Sequence, residues 1–135
     1  MLKLLLIGLG GFVGAILRYV TGSLVTQLLP NLAFPYGTFV VNIIGCLLIG
    51  VLTRLTELSP ELLAQQNWIG QALLKPEIRA LIFIGFLGAF TTFSTFSNEG
   101  LALLQKSRFD VALLYVGGSV FVGLAAVWLG RQISF

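Results

Sequence analysis

Residues 78–98 read IRALIFIGFLGAFTTFSTFSN, an apolar stretch whose second half carries five hydroxyl side chains within seven residues. A stretch of about 20 apolar residues is long enough to cross a bilayer as a helix. The hydroxyl side chains at 91–97 compete with the helix for backbone hydrogen bonds, and Gly85 and Gly88 weaken it further. The sequence therefore predicts a transmembrane helix broken near midplane, where a break is tolerated only inside protein or beside a wet cavity.

Three further apolar stretches lie outside this one, at about residues 4–29, 36–55 and 111–132. Together they predict an all-α membrane protein with four transmembrane helices in a single domain, residues 1–135. Hydrophobic residues make up 57% of the chain and charged residues 10%, a mixture that excludes an ordinary soluble domain. A cleaved signal peptide is the alternative for the first stretch, but Arg18 inside it is untypical of a signal peptide's apolar core.

The connection at 56–77 is the longest, and its Ser59-Pro60-Glu61 is typical of a helix start. We expect an interfacial helix at about 60–74, with Trp68 at the level of the lipid headgroups. Basic side chains favour the side of this connection and of the termini, which predicts a cytoplasmic N-terminus. Five bases are expected on the side of the termini and the long connection: Lys3, Arg54, Lys75, Arg79 and Arg131. Two are expected on the other side: Lys106 and Arg108.

Catalytic and metal-binding side chains are scarce in this chain. It has no His and a single Cys, so it lacks the residues for a zinc site, a disulfide or a nucleophile with its base, and we expect a non-enzyme. The net charge of +3 is too small to indicate a nucleic acid partner. All acids are expected in connections, with Glu99 and Asp110 in the last one. Because small proton-coupled exporters rely on a carboxylate inside the membrane, this placement argues against them.

One stripe of the first span carries Gly10, Gly14, Arg18 and Gly22, spaced four residues apart. Glycines at this spacing favour close packing of helices over a direct role in ligand binding. Two interpretations of Arg18 stay open. Its guanidinium can snorkel to the membrane surface, or it can bind backbone carbonyls and attract an anion.

Polar side chains also recur four residues apart on two other spans, as Thr38 with Asn42 and as Tyr115 with Ser119. An amide in hydrocarbon is costly unless it is hydrogen-bonded or wetted. Thr38 and Asn42 therefore either bond one helix to another or line a polar track, and Tyr115 and Ser119 would offer hydroxyl donors on one stripe.

Phe93 and Phe96 lie three residues apart, on one face of the third span. Most phenylalanines in membranes contact lipid or other apolar side chains. The alternative is electrostatic, because the edge of an aromatic ring is positive and attracts a small anion without trapping it.

These residues resemble the Fluc/CrcB family of small fluoride-specific ion channels over nearly the whole chain. The resemblance is carried by GGFVGA at 10–15 with Arg18, by PYGT at 35–38 with Asn42 and Gly45, and by GFLGAFTTFSTF at 85–96. It implies passive export of fluoride across the cytoplasmic (inner) membrane, which relieves fluoride toxicity. The rival hypotheses are a proton-coupled small-molecule exporter and a non-transporting membrane scaffold.

The resemblance also implies an assembly and a set of roles. The assembly is an antiparallel, dual-topology homodimer in membrane lipid, with two pores and a structural sodium ion at its centre. Dual topology conflicts with the bias of the basic residues, which favours one orientation. Backbone carbonyls of Gly88 and Thr91 would hold the sodium. The expected fluoride pathway comprises Phe93, Phe96, Asn42, Tyr115 and Ser119, and we add Thr38 and Arg18 to it from their positions in the spans.

Overall fold

The computed structural model describes residues 1–29, 33–57, 72–73 and 75–133, and within these ranges every regular element is helical. The helices are α1 (Leu2–Leu28), α2 (Tyr36–Glu57), α3 (residues 76–90), α4 (Phe93–Gln105) and α5 (Phe109–Gln132). Four units are long and apolar enough to cross a membrane: α1, α2, α3 together with α4, and α5. The predicted multi-pass, all-helical architecture is thereby confirmed. The interfacial helix predicted at 60–74, with Trp68, lies outside the described residues except for 72–73.

The third span is broken at Thr91 and Thr92, whose backbones are extended (φ −83°, ψ 159° and φ −149°, ψ 118°). The break is narrower than the hydroxyl-rich run that predicted it, because helix α4 already begins at Phe93. Thr92 makes this possible as the N-cap, since its Oγ1 accepts a hydrogen bond from the backbone N–H of Thr95 at 3.3 Å. With 13 residues in α4 and 15 in α3, the break lies near the centre of the span.

Helix α3 has a feature that the sequence did not predict. Its central part, Ala80–Leu87, is π-helical, between short α-helical segments at Pro76–Arg79 and Gly88–Phe90. π-Helical turns are rare and are frequently found at functional sites. This one leads directly into the break.

The third span also continues further than predicted, to Gln105 instead of residue 98. Glu99, which the sequence analysis placed in the last connection, therefore lies within the span. That placement was wrong because the apolar pattern weakens at 97–99, whereas the helix continues through Leu101, Leu103 and Leu104. The real connection is a tight turn in which Ser107 has a positive φ of 56°.

Glycines allow α1 and α3 to run side by side in the same direction. Gly10 and Gly14 are buried, and a Cβ at Gly14 would collide with the backbone carbonyl of Phe86. The predicted packing role of these two glycines is confirmed. At Gly22 an added Cβ would meet nothing within 4 Å, so the tight contact ends before that residue.

Helices α2 and α5 form a second parallel pair, built in the same way. A Cβ at Gly130 would lie 2.5 Å from the carbonyl oxygen of Leu47, so the two backbones touch there. The C-terminal ends of both helices are joined by an exposed ion pair, in which Arg131 donates to Glu57 at 2.5 Å. The two pairs position the break between α3 and α4 against the middle of α2.

Candidate functional site

A cavity of about 420 Å³ lies beside the break, and we call it the break cavity. Its lining contains four residues of the expected fluoride pathway, Asn42, Phe93, Phe96 and Ser119. It also contains both residues expected to hold sodium, Gly88 and Thr91. The fold thus brings together residues from α2, α3, α4 and α5 that are far apart in sequence.

The two phenylalanines of the break cavity differ in their surroundings. Phe93 is 79% exposed, whereas Phe96 is partly buried and its ring centroid lies 5.1 Å from that of Tyr115. The centroids of Phe93 and Phe96 are 5.9 Å apart, and the rings are tilted by 39° to each other. Because the rings are not stacked, an edge of each can be presented to the cavity.

Ser119 contributes an unsatisfied polar atom to the break cavity. Its Oγ is buried and has no hydrogen-bond partner among the described residues. A buried hydroxyl without a partner is unusual and costs free energy unless a ligand or water satisfies it. Ser119 is therefore a donor available to a small anion.

Asn42 holds the extended backbone at the break. Its Nδ2 donates to the carbonyl oxygen of Thr92 at 3.2 Å, and its Oδ1 accepts from the N–H of the same residue at 2.9 Å. The N–H of Thr92 has no helical partner, and one amide side chain bonds both this N–H and the carbonyl of the same residue. Of the two interpretations left open for Asn42, bonding between helices is the one observed, and the residue also lines the cavity.

The break frees two carbonyls that suit a sodium ion. In an α-helix the carbonyls of Gly88 and Thr91 would accept from the N–H groups of Thr92 and Thr95. Those N–H groups instead donate to Asn42 Oδ1 and to Thr92 Oγ1. Freed carbonyls of this kind are the hard oxygen ligands that sodium takes in membrane proteins. In the described part of the chain no cluster of acidic, His or Cys side chains offers an alternative metal site.

A second cavity, of about 790 Å³, shares the lining residue Thr92 with the break cavity, and we call it the polar cavity. Arg18 and Thr38 line it together with Ser23, Thr26, Gln27 and Glu99. The structure thus divides six of the seven predicted pathway residues between these two cavities, and the buried Tyr115 lines neither. Arg18 and Thr38 belong to the polar cavity, and the phenylalanines and Ser119 to the break cavity.

Glu99 is the site residue that the sequence analysis missed. Its carboxylate accepts hydrogen bonds from Thr38 Oγ1 at 2.9 Å and from the Tyr115 hydroxyl at 2.7 Å. Tyr115 is completely buried, so its hydroxyl is committed to Glu99 and its ring to Phe96. The sequence did contain a signal for Glu99. It lies three or four residues after Thr95 and Phe96, which in turn follow Thr92 by three or four residues, and this spacing places them on one helical face.

The family described as "CrcB-like protein, Camphor Resistance (CrcB)" matches residues 5–131 of this chain. The chain belongs to this family. Relatives of this chain carry the name "Fluoride-specific ion channel FluC", among them the following three. The protein of Shewanella halifaxensis (strain HAW-EB4) is 43% identical over 133 residues, covering 98% of this chain and 96% of the relative. That of Flavobacterium psychrophilum (strain ATCC 49511 / DSM 21280 / CIP 103535 / JIP02/86) is 42% identical over 128 residues, covering 95% and 93%. That of Nitratidesulfovibrio vulgaris (strain DSM 19637 / Miyazaki F) is 41% identical over 130 residues, covering 96% and 94%.

The CrcB match confirms the resemblance predicted from the sequence motifs. It extends across all four spans and therefore includes every residue of the break cavity.

Proposed function

We propose that this protein is a fluoride-selective channel through which fluoride leaves the cell passively, down its electrochemical gradient. The observation that carries the proposal is the break cavity, which combines the free hydroxyl of Ser119 with Phe93 and Phe96. Relatives that match nearly the whole chain are named fluoride-specific channels, which supports the same conclusion. A channel has no reaction to catalyse, in agreement with the expectation of a non-enzyme.

Fluoride is small and strongly hydrated, so a pore must replace its water without binding the ion too tightly to release it. Ser119 offers one hydroxyl donor, and the edges of Phe93 and Phe96 offer weak positive potential. In this proposal these three side chains form the contact surface of the ion in the break cavity. Asn42 then serves the pathway by fixing the backbone that carries Phe93.

The polar cavity serves as the entrance of the proposed pathway. Arg18 supplies positive potential there and raises the local concentration of anions. Thr38 and Tyr115 both donate to Glu99, so the carboxylate is screened by hydroxyl groups and not presented bare to a passing anion. Thr92 lines both cavities, and in this proposal the ion passes beside it from one cavity to the other.

We extend the proposal to a homodimer, because α4 carries polar side chains on its exposed face. Ser97 and Asn98 are exposed within a span, where lipid offers them no hydrogen-bond partners. Ser94 on the same face is also exposed, and its Oγ lies 3.3 Å from Thr92 Oγ1. A second copy covering this face would satisfy them and would close the open side of the break cavity. Antiparallel insertion would give two equivalent pores, and reporters attached to the C-terminus should then respond on both sides of the cytoplasmic membrane. Reporters that respond on one side only would exclude the antiparallel dimer.

The sodium ion proposed at the dimer centre would receive the carbonyls of Gly88 and Thr91 from each copy. Because carbonyls freed by the break have no other described partner, sodium should stabilise the dimer. The test is to exchange sodium for potassium in the purified protein and to follow the dimer fraction by light scattering. A dimer equally stable in both salts would exclude a structural role for sodium.

A proton-coupled exporter remains the alternative that one observation favours. Glu99 provides the carboxylate inside a span whose expected absence argued against such a mechanism. The discriminating experiment uses liposomes loaded with potassium fluoride. Channel efflux requires a potassium ionophore to balance charge and needs no pH gradient. Efflux that does not depend on the ionophore and stops when the pH gradient collapses would support the exporter and exclude the channel. If the folded protein gives no efflux, the hypothesis of a non-transporting scaffold would be supported.

A further inference from the structure

A cleft of about 350 Å³ lies where α1 and α3 begin, and it shares one lining residue, Phe83, with the break cavity. The residues that line it are two bases and four apolar residues: Lys3, Arg79, Pro76, Ala80, Phe83 and Ile84. Both bases are exposed, and neither takes part in an ion pair among the described residues. The cleft therefore carries two positive charges on its rim that no described carboxylate neutralises.

The wall below these bases is apolar and continues into a membrane-spanning helix. Ile84 is 59% exposed, and Phe83 is partly exposed beside it. Lys3 and Arg79 lie in the first turns of α1 and α3, where the long stems of basic side chains reach the level of lipid headgroups. A free inorganic anion would use the bases and leave the apolar wall unoccupied. Only an amphiphile with a negative head matches both parts of the cleft.

We propose that this cleft is a binding site for one anionic phospholipid. Its phosphate lies between Lys3 of α1 and Arg79 of α3, and one acyl chain lies along Phe83 and Ile84. Such a lipid ties together the beginnings of two helices that touch further along at Gly10 and Gly14. Its two bases do not line the break cavity or the polar cavity, so lipid binding can be tested separately from the proposed channel.

The charges of the cleft set the expected lipid preference. One Lys or Arg near an anionic membrane surface contributes about 5.4-fold in affinity, so two bases give about 30-fold in favour of an anionic over a zwitterionic headgroup. The acyl chain contact is the same for both lipids. Headgroup charge alone therefore decides the ratio when the chains are identical.

The experiment is a titration of the purified full-length protein in non-ionic detergent, with bound lipid counted by native mass spectrometry. The probes are phosphatidylglycerol, phosphatidylcholine with the same acyl chains, and inorganic phosphate. The wild-type protein should bind one phosphatidylglycerol about 30-fold more tightly than phosphatidylcholine. The double variant Lys3→Gln/Arg79→Gln should lose this preference. The matched double variant Lys106→Gln/Arg108→Gln, with the same charge change at the other end of the molecule, should keep it.

Three results would overturn the proposal. The first is a wild-type protein without preference for phosphatidylglycerol, a comparison that needs no variant and so holds even if the double variant fails to fold. The second is an equal loss in both double variants, which would mean general attraction to positive charge. The third is displacement of phosphatidylglycerol by inorganic phosphate at equal concentration, which would make the cleft a site for a free anion.

Discussion

Replacing Asn42 by leucine tests whether one amide holds the break in the third span. The change keeps the approximate size of the side chain and removes both hydrogen bonds to Thr92, of 2.9 Å and 3.2 Å. The N–H and the carbonyl of Thr92 then lose their described partners. We expect a lower free energy of unfolding and a lower fluoride flux, because Phe93 follows Thr92 directly.

The size of the effect follows from the two bonds. Hydrogen bonds between helices in membranes contribute about 0.6 kcal/mol on average and up to about 1.7 kcal/mol. Two bonds therefore give a loss of about 1–3 kcal/mol. The lower value applies if water from the neighbouring cavities reaches Thr92, and the higher value applies if the break stays dry.

Reversible unfolding in mixed detergent micelles measures this loss, at one fixed protein concentration because any dimer would make stability depend on concentration. The control is Gln105→Leu, an amide-to-leucine change at the exposed end of α4 that breaks no hydrogen bond in the described structure. An Asn42→Leu protein as stable as this control would refute the claim that Asn42 holds the break. Lower stability with full fluoride flux would mean that Asn42 stabilises the fold but is not needed for the fluoride pathway.

Three further changes probe other contacts with the same unfolding assay. Gly14→Ala should cost about 1–3 kcal/mol, because the new methyl group collides with backbone, whereas Gly8→Ala, with nothing within 4 Å, should cost nothing; equal effects would contradict the contact of α1 with α3. Tyr115→Phe removes one of the two donors to Glu99 and should cost about 1–2 kcal/mol, and a neutral result would mean that the carboxylate does not depend on this hydroxyl. Ser107→Gly should raise the free energy of unfolding by up to about 1 kcal/mol, because glycine adopts a positive φ without strain. A lower free energy of unfolding would contradict the turn geometry at Ser107.

Hydropathy and the spacing of polar residues predicted the four spans and the broken third helix. These features depend on the type of residue, because apolar length decides what crosses a bilayer and clustered hydroxyl groups weaken a helix. The role of Thr92 as N-cap was not predicted, although a threonine followed by helix-compatible residues is a typical start. The break consequently proved shorter than expected.

The position of Glu99 and the π-helix at Ala80–Leu87 could not be derived from local patterns. A glutamate near a span end normally marks the membrane surface, and only the partners Thr38 and Tyr115, distant in sequence, stabilise it within the span. The π-helical turns lie where Gly85 packs against Gly10 of α1. Both features involve tertiary contacts, which one sequence does not specify.

The central claim is that fluoride passes the ring of Phe93, and a matched pair of phenylalanines tests it. Phe93 and Phe121 are similarly exposed, at 79% and 75%, but only Phe93 lines the break cavity. The measurement is fluoride efflux from liposomes, read with a fluoride electrode after addition of a potassium ionophore, beside a parallel chloride trace. We predict rapid fluoride release that chloride does not match, slowed by Phe93→Ile and unchanged by Phe121→Ile. Equal rates for both variants, or equal release of fluoride and chloride, would contradict the proposed pathway.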